Sequence, residues 1–387
     1  MKRTSLIFFL LCTLQILPQL CKAQDSLLVN FLLNRIAGQQ VKEDDYFLPG
    51  IFPSYISNDE SFSSKKKDNN IFFNTLIAYT LNDIKSSVSN RSQLLIDDIL
   101  AKAKPLFPKF KNTKGRDTYN FWRTDTGFKY PYTGLINPFS KNITLPDDMD
   151  DTVLSLLALD ADDSTAANVH ALMQSFTNNS SSEFRSVIKI YSPLPAYSTW
   201  FGKKFPVVFD VSVLCNILSF VQQYSLVWTK ADSASLEAII KTVNNNYHIT
   251  QPEYASPYYP KTSIILYHIA RLMNVKKIPQ LEAFKVKFIT DAVNEFAHTD
   301  NMMEKVILSS AINKWGYHPP SFELPLTTEM ENKIEQNDFS FFVGNIPSYF
   351  PGLLRKIATE KKKGLYYHYC PAYNDALLLE YLLLMNK

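Results

Sequence analysis

The chain has 387 residues, 46% of them hydrophobic, with 40 basic and 37 acidic side chains for a net charge of +3. So apolar and balanced a composition excludes a disordered polyelectrolyte and gives no basic surface for nucleic acid, and four cysteines are too few to scaffold this length. Ten glycines, with no GxGxxG, P-loop, GxSxG, HExxH or CxxC pattern, leave phosphate cradles, the nucleophile elbow and the common zinc sites without support.

In chain order, Lys2 and Arg3 precede the apolar run Leu6 to Leu17, and Cys21-Lys22-Ala23 offers small residues at the cleavage positions. This pattern predicts a signal peptide over residues 1–23 and an exported, secreted or periplasmic protein whose residues 24–387 form one domain. No later stretch has the roughly 20 apolar residues of a membrane span. Of the mature cysteines, Cys215 and Cys370 remain and could pair in an oxidising compartment. The lysine runs at Lys65 and Lys361 read as solvated loops.

Six apolar runs follow, each opened by polar residues: FFNTLIAYTL from Phe72, DDTVLSLLAL from Asp150, FDVSVLCNILSFV from Phe209, KTSIILYHIARLM from Lys261, MEKVILSSAI from Met303 and YNDALLLEYLLLM from Tyr373. They are apolar nearly all round, as buried helices are. Between them, segments from Ser92, Ser164, Ser233 and Ile278 have helical spacing with one polar face. Apolar inner helices alternating with amphipathic outer ones predict an all-α fold, a single (α/α)6 barrel or toroid. The connecting loops are long and aromatic, and Trp122, Tyr130, Tyr132, Trp200, Phe201, Tyr258, Tyr259, Trp315 and Tyr317 are candidates for a pocket wall or for packed caps.

The segment LPDDMDDTVLSLLAL from Leu145 puts four aspartates into five positions at the start of one apolar run. On a helix, Asp147 with Asp150 and Asp148 with Asp151 share neighbouring faces. Capping and the helix dipole account for one or two acids there, and four repel one another. Burial favours retaining a proton and the helix N-terminus favours losing one, so the sign of the net shift stays open.

The series NNIFFNTLIAYTL, FWRTDTGFKYPYTG, LPDDMDDTVLSLLAL, FDVSVLCNIL, ASPYYPKTSIILYHIARL and YYHYCPAYNDALLLEYLLL resembles the α/α-toroid group of terpenoid cyclases and protein prenyltransferases. Asp148-Met149-Asp150-Asp151-Thr152 is similar to the DxDDT motif of protonation-initiated, class II terpene cyclases. The resemblance implies Asp150 as the general acid, assisted by Asp148 and Asp151, and substrate contacts from Trp122, Trp200, Tyr258, Tyr259 and Trp315. Two alternatives stay open. A secreted carbohydrate-active α/α barrel would use a carboxylate pair and aromatic stacking, and a non-catalytic binding barrel would use the acids as caps. The expected partner is a small-molecule, lipid or sugar substrate, with no nucleic acid, no metal, no cofactor and a monomeric chain.

Overall fold

The computed structural model describes residues 27–126, 145–178, 183–202, 205–325, 327–336 and 339–385. The expected signal peptide, Tyr130 and Tyr132 lie outside them. The helices are α1 (27–39), α2 (Phe72–Ile84), α3 (Asn90–Ala103), α4 (Met149–Ala158), α5 (Asp163–Met173), α6 (Val211–Gln223), α7 (Lys230–Asn244), α8 (Tyr247–Thr250), α9 (Pro252–Ala255), α10 (Thr262–Val275), α11 (Pro279–Glu282), α12 (Lys285–His298), α13 (Met302–Lys314), α14 (Thr327–Gln336), α15 (Gly352–Glu360) and α16 (Pro371–Met385). None of these is long and apolar enough to cross a membrane.

The six apolar runs become α2, α4, α6, α10, α13 and α16. α6 buries every residue from Val211 to Gln222, and α16 every residue from Ala372 to Leu383, so these helices have no solvent face over that length. Each fully buried Leu, Ile or Phe contributes about 1.5–3 kcal/mol against an exposed reference. α2 packs on α4, α4 on α6, α6 on α10, α10 on α13, α13 on α16 and α16 again on α2. The amphipathic segments flank this circuit: α3 lies on α2, α7 on α6, α12 on α13 and α10, and α14 on α16. The segment from Ile278 is split, because Pro279 opens the single turn α11 and the chain bends at Phe284 before α12.

The all-α expectation needs one correction. Among the described residues 57% are helical and 8% are strand, and the short strands make an antiparallel sheet of β1 (Ser54–Ser57), β2 (Lys65–Asp68), β3 (Phe342–Asn345) and β4 (Leu365–Tyr369) in the order β2-β1-β4-β3. Ile56 pairs with Lys66 on one side and His368 on the other. The run Lys65-Lys66-Lys67 is therefore an exposed edge strand, and edge lysines block pairing with a second chain. The Lys65 ammonium also covers the Tyr55 ring at 4.9 Å.

Besides the single turns α8 and α9, three longer helices escape the apolar-period reading. α1 and α14 are outer segments beside α16, tied to it where Arg35 of α1 meets Asp375 (3.2 Å) and Glu331 (2.5 Å). α15 inverts the usual pattern: Arg355 is buried and donates from Nη1 to the Arg185 carbonyl (2.8 Å), while Leu353 and Leu354 are 73% and 59% exposed. Cys215 and Cys370 are both buried and unbonded.

Candidate functional site

The acidic segment is fixed by the two aromatic loops on either side of it. Asp148 N–H donates to the Tyr119 carbonyl (3.2 Å), Met149 N–H to Thr199 (2.8 Å), and Phe201 N–H returns to Asp147 (2.9 Å). Thr152 completes the clasp, its Oγ1 accepting from Tyr119 N–H (2.9 Å) and donating to the Asp148 carbonyl (2.6 Å). The segment is thus extended up to Asp148 and helical from Met149. Asp147 consequently shares no helical face with Asp150. It turns away to accept from Asn112 Nδ2 and Thr118 Oγ1, both at 2.5 Å.

Asp148 is the N-cap of α4, accepting from Asp151 N–H (2.7 Å). Burial first, then the neighbouring Asp150 and Asp147 charges, push its carboxyl up to about 7, against hydrogen bonds from Asp151 that pull it down. Asp151 is held well above the ordinary carboxylate range by burial and by the Asp148 carboxyl, to which it donates the proton the pair shares. Its Oδ1 is buried without a partner among the described residues.

Asp150 is 4% exposed. Its Oδ1 accepts from Asn216 Nδ2 of α6 (2.8 Å), and its Oδ2 accepts from the Tyr259 hydroxyl. Burial raises its pKa, while Tyr259, Asn216 and the Arg271 charge oppose the rise. A fourth acid joins the cluster from α6. Asp210 Oδ1 caps that helix through Ser212 N–H (2.9 Å) and Val213 N–H (3.1 Å) and accepts from Ser256 Oγ (2.6 Å), while Oδ2 takes Tyr258 N–H (2.8 Å). Burial pushes its carboxyl up to about 7.

Of the expected aromatic residues, Trp200, Tyr258 and Tyr259 belong to this end of the molecule. Trp200 Nε1 donates to the Tyr258 hydroxyl (3.2 Å), and the Tyr259 ring lies near Phe72, Phe341, Phe342 and, at 4.6 Å, His268. Trp200→Phe should lower the unfolding free energy by about 1–2 kcal/mol, through the lost Nε1 bond and reduced ring packing. Urea denaturation checks this, and an unchanged midpoint would mean the indole does not hold the wall.

Two expected residues lie elsewhere. Trp122 turns its Nε1 to Asp68 Oδ1 (3.0 Å), beside the contact of Asp68 with His368 on β4 (3.3 Å), and so belongs to the sheet side. Trp315 follows the C-terminal end of α13, 2% exposed and stacked on Phe288 of α12 at 5.5 Å. That end is opposite to the N-terminal ends where the acids sit, so the structure does not bring Trp315 together with them. Tyr317 beyond it is 60% exposed, and Phe201 packs edge-on against Phe176 (5.3 Å).

Residues missed from the sequence are Asp210, Asn216, His268 and Arg271. Their signal was a polar side chain inside an otherwise apolar run, as in VLCNILSF and ILYHIARLM. His268 is the most informative. Its Nδ1 lies 2.8 Å from the Ile264 carbonyl, which can only accept, so the ring proton is on Nδ1. Nε2 is then a bare acceptor, buried and without a partner among the described residues. Burial and the Arg271 charge pull the imidazole down to about 3, so it is neutral at physiological pH.

The arrangement combines a buried carboxyl whose pKa burial raises, donors that would stabilise its conjugate base, and a neutral imidazole one aromatic ring away. No family model matches this sequence, and no curated protein or solved structure matches it significantly.

Proposed function

We propose that the chain is a single, monomeric α/α toroid of the terpenoid cyclase type, exported by its leader, and a protonation-initiated cyclase or isomerase acting on an isoprenoid lipid. The packing circuit from α2 round to α16 and back to α2 supports the toroid reading. The chemistry rests on one observation: Asp150 is a buried carboxyl, its pKa raised by that burial, whose two oxygens are met by Asn216 and Tyr259, with the Arg271 charge favouring the anion. These are the groups that would stabilise the carboxylate left after its proton is given up.

In this reading the Asp150 proton adds to one carbon of an alkene, and the electron pair of the double bond forms the new C–H bond. The adjacent carbon becomes cationic and is stabilised by the faces of neighbouring rings such as Tyr259 and Phe342. His268 Nε2 then removes a proton from a neighbouring C–H, regenerating an alkene. One proton enters and one leaves, so the step needs no redox partner.

A second reading has its own observation. Asp148 and Asp210 both cap helices, and Asp210 satisfies four donors, as the acids of a non-catalytic barrel would. A glycosidase reading is less well supported by the Asp148–Asp151 pair, because those carboxyls touch, whereas glycosidases hold theirs about 5–9.5 Å apart around the scissile bond.

The test is incubation of the purified chain with linear polyenes and polyprenols in deuterated water, followed by mass spectrometry. Deuterium incorporation is expected with the native chain and not with Asp150→Asn. That variant should keep its unfolding free energy within about 1 kcal/mol, since an amide can still accept from Asn216 and donate to Tyr259. Absence of incorporation across the panel, with melting-temperature shifts only for oligosaccharides, would move the protein to the carbohydrate class. Silence in both would leave the capping reading.

A further inference from the structure

At the C-terminal ends of the inner helices, opposite the acids, Tyr79, Thr80, Asp83, Gln223, Arg271, Asn274, Val275, Lys314 and Glu380 line a cavity of about 250 Å³. Its two cations, Arg271 and Lys314, face two carboxylates, Glu380 and Asp83, but only Lys314 is hydrogen-bonded to one of them. Lys314 Nζ meets Glu380 at 2.9 Å, with side chains 3% and 5% exposed, and Glu380 also accepts from the Tyr267 hydroxyl at 2.7 Å. That carboxylate is therefore already engaged by two donors.

Arg271 is different. Its guanidinium lies 4.7 Å from the centre of the Tyr79 ring and 5.7 Å from that of Tyr267, so two aromatic rings hold it in place. The residue is 8% exposed, and its Nη1 is buried and meets no hydrogen-bond acceptor among the described residues. A guanidinium cannot discharge itself, and its planar fork of donors matches a carboxylate or phosphate edge. Glu380 offsets part of its charge from a distance, but the buried Nη1 donor at the wall of a cavity with polar rim groups Gln223 and Asn274 is left for an anion to engage.

We propose that this cavity is a binding site for a small oxyanion-bearing molecule, a hydroxy or amino carboxylate in the first instance, held by a charge-assisted hydrogen bond to Arg271. The cavity is slightly below the usual range of about 300–1,000 Å³ for drug-sized ligands, which restricts the occupant to a few heavy atoms. Gln223 and Asn274 would take the hydroxyl or amino substituent. The cavity lies at the other end of the inner helices from Asp150 and is linked to it through the Arg271 charge, so the test reads binding and not turnover.

Isothermal titration with sodium glycolate, and separately with inorganic phosphate, at ionic strength matched with sodium chloride, tests the site. Saturable binding is expected in the native chain, and binding weaker by about tenfold or more in two variants. Arg271→Met removes the charge while keeping an apolar stem between the two tyrosines. Asn274→Trp blocks the mouth from an exposed position and leaves Arg271 in place, so it remains informative if the first variant folds poorly. Saturation by phosphate alone would retain the site and assign it to phosphorylated compounds. Saturation by neither anion, or native-like affinity in both variants, would overturn it.

Discussion

Asp210→Ala is expected to lower the unfolding free energy by about 3–5 kcal/mol, because one truncation strands four donors at once. The amides of Ser212 and Val213 lose their cap, usually worth about 1 kcal/mol, and the Ser256 hydroxyl and Tyr258 amide are left in a region with no water-facing surface. Relief of the buried carboxyl's own desolvation offsets only part of this. Asp210→Asn separates the contributions: its oxygen can still serve Ser212, Val213 and Ser256, but its amide would face Tyr258 N–H donor to donor. Its loss should be smaller, about 1–2 kcal/mol. Urea unfolding of both variants provides the measurement, and an alanine variant within about 1 kcal/mol of native would show that the cluster does not anchor α6. Because Tyr258 N–H is one of the four donors and Tyr259 follows it, the alanine variant should also loosen the hydroxyl contact on Asp150.

The second large effect is a fall in stability as pH rises through the mildly acidic range. Asp148 and Asp210 are pushed up to about 7 and Asp375 to about 6, against 3.8 for an unperturbed carboxyl. Between these limits the folded chain keeps protons that the unfolded chain has released. Unfolding therefore releases protons, and its free energy falls by about 1.4 kcal/mol per pH unit for each. The raised pKa values of Asp150 and Asp151 add in the same direction.

His268 opposes them. Its folded value of about 3 lies below the usual 6.5, so unfolding takes up a proton in that window and cancels one of the acids. Asp232, Asp291 and Glu380 are depressed, and their contribution is lost only below the normal carboxylate range. The net expectation is an unfolding free energy larger at pH 5 than at pH 8 by about 3 kcal/mol or more. A melting temperature that is flat or rising across that window would contradict the burial of these carboxyls.

The helices were legible because the fully buried and the amphipathic ones differ in kind. A run such as VSVLCNILSFVQ has no polar face to show to water, and the segment from Ser233 has one. The sheet was hidden by its brevity: Lys65–Asp68 has no alternation, and Leu365–Tyr369 reads as the lead into α16. α15 broke the pattern outright by burying Arg355 and exposing its leucines. For the site, the aspartate cluster could be seen in advance but its partners could not. Tyr259 meets Asp150 from 109 positions away and Asn216 from 66, and only packing brings them together. Asp147 shows the converse, since adjacency in sequence placed it with the others and the helix start at Met149 turned it aside.

The contact of α16 with α2 governs how the protein can be made. Arg35 and Asp375 lie 340 positions apart, and α16 follows every other helix of the packing circuit in chain order. Until it arrives, α2 and α13 each present a bare apolar flank, and no earlier helix fills both. Loop-closure entropy grows only slowly with length, so the finished contact is not heavily penalised, but high contact order slows its formation. A chain made from its N-terminus therefore carries this unfilled apolar flank, an aggregation hazard, until α16 has been synthesised.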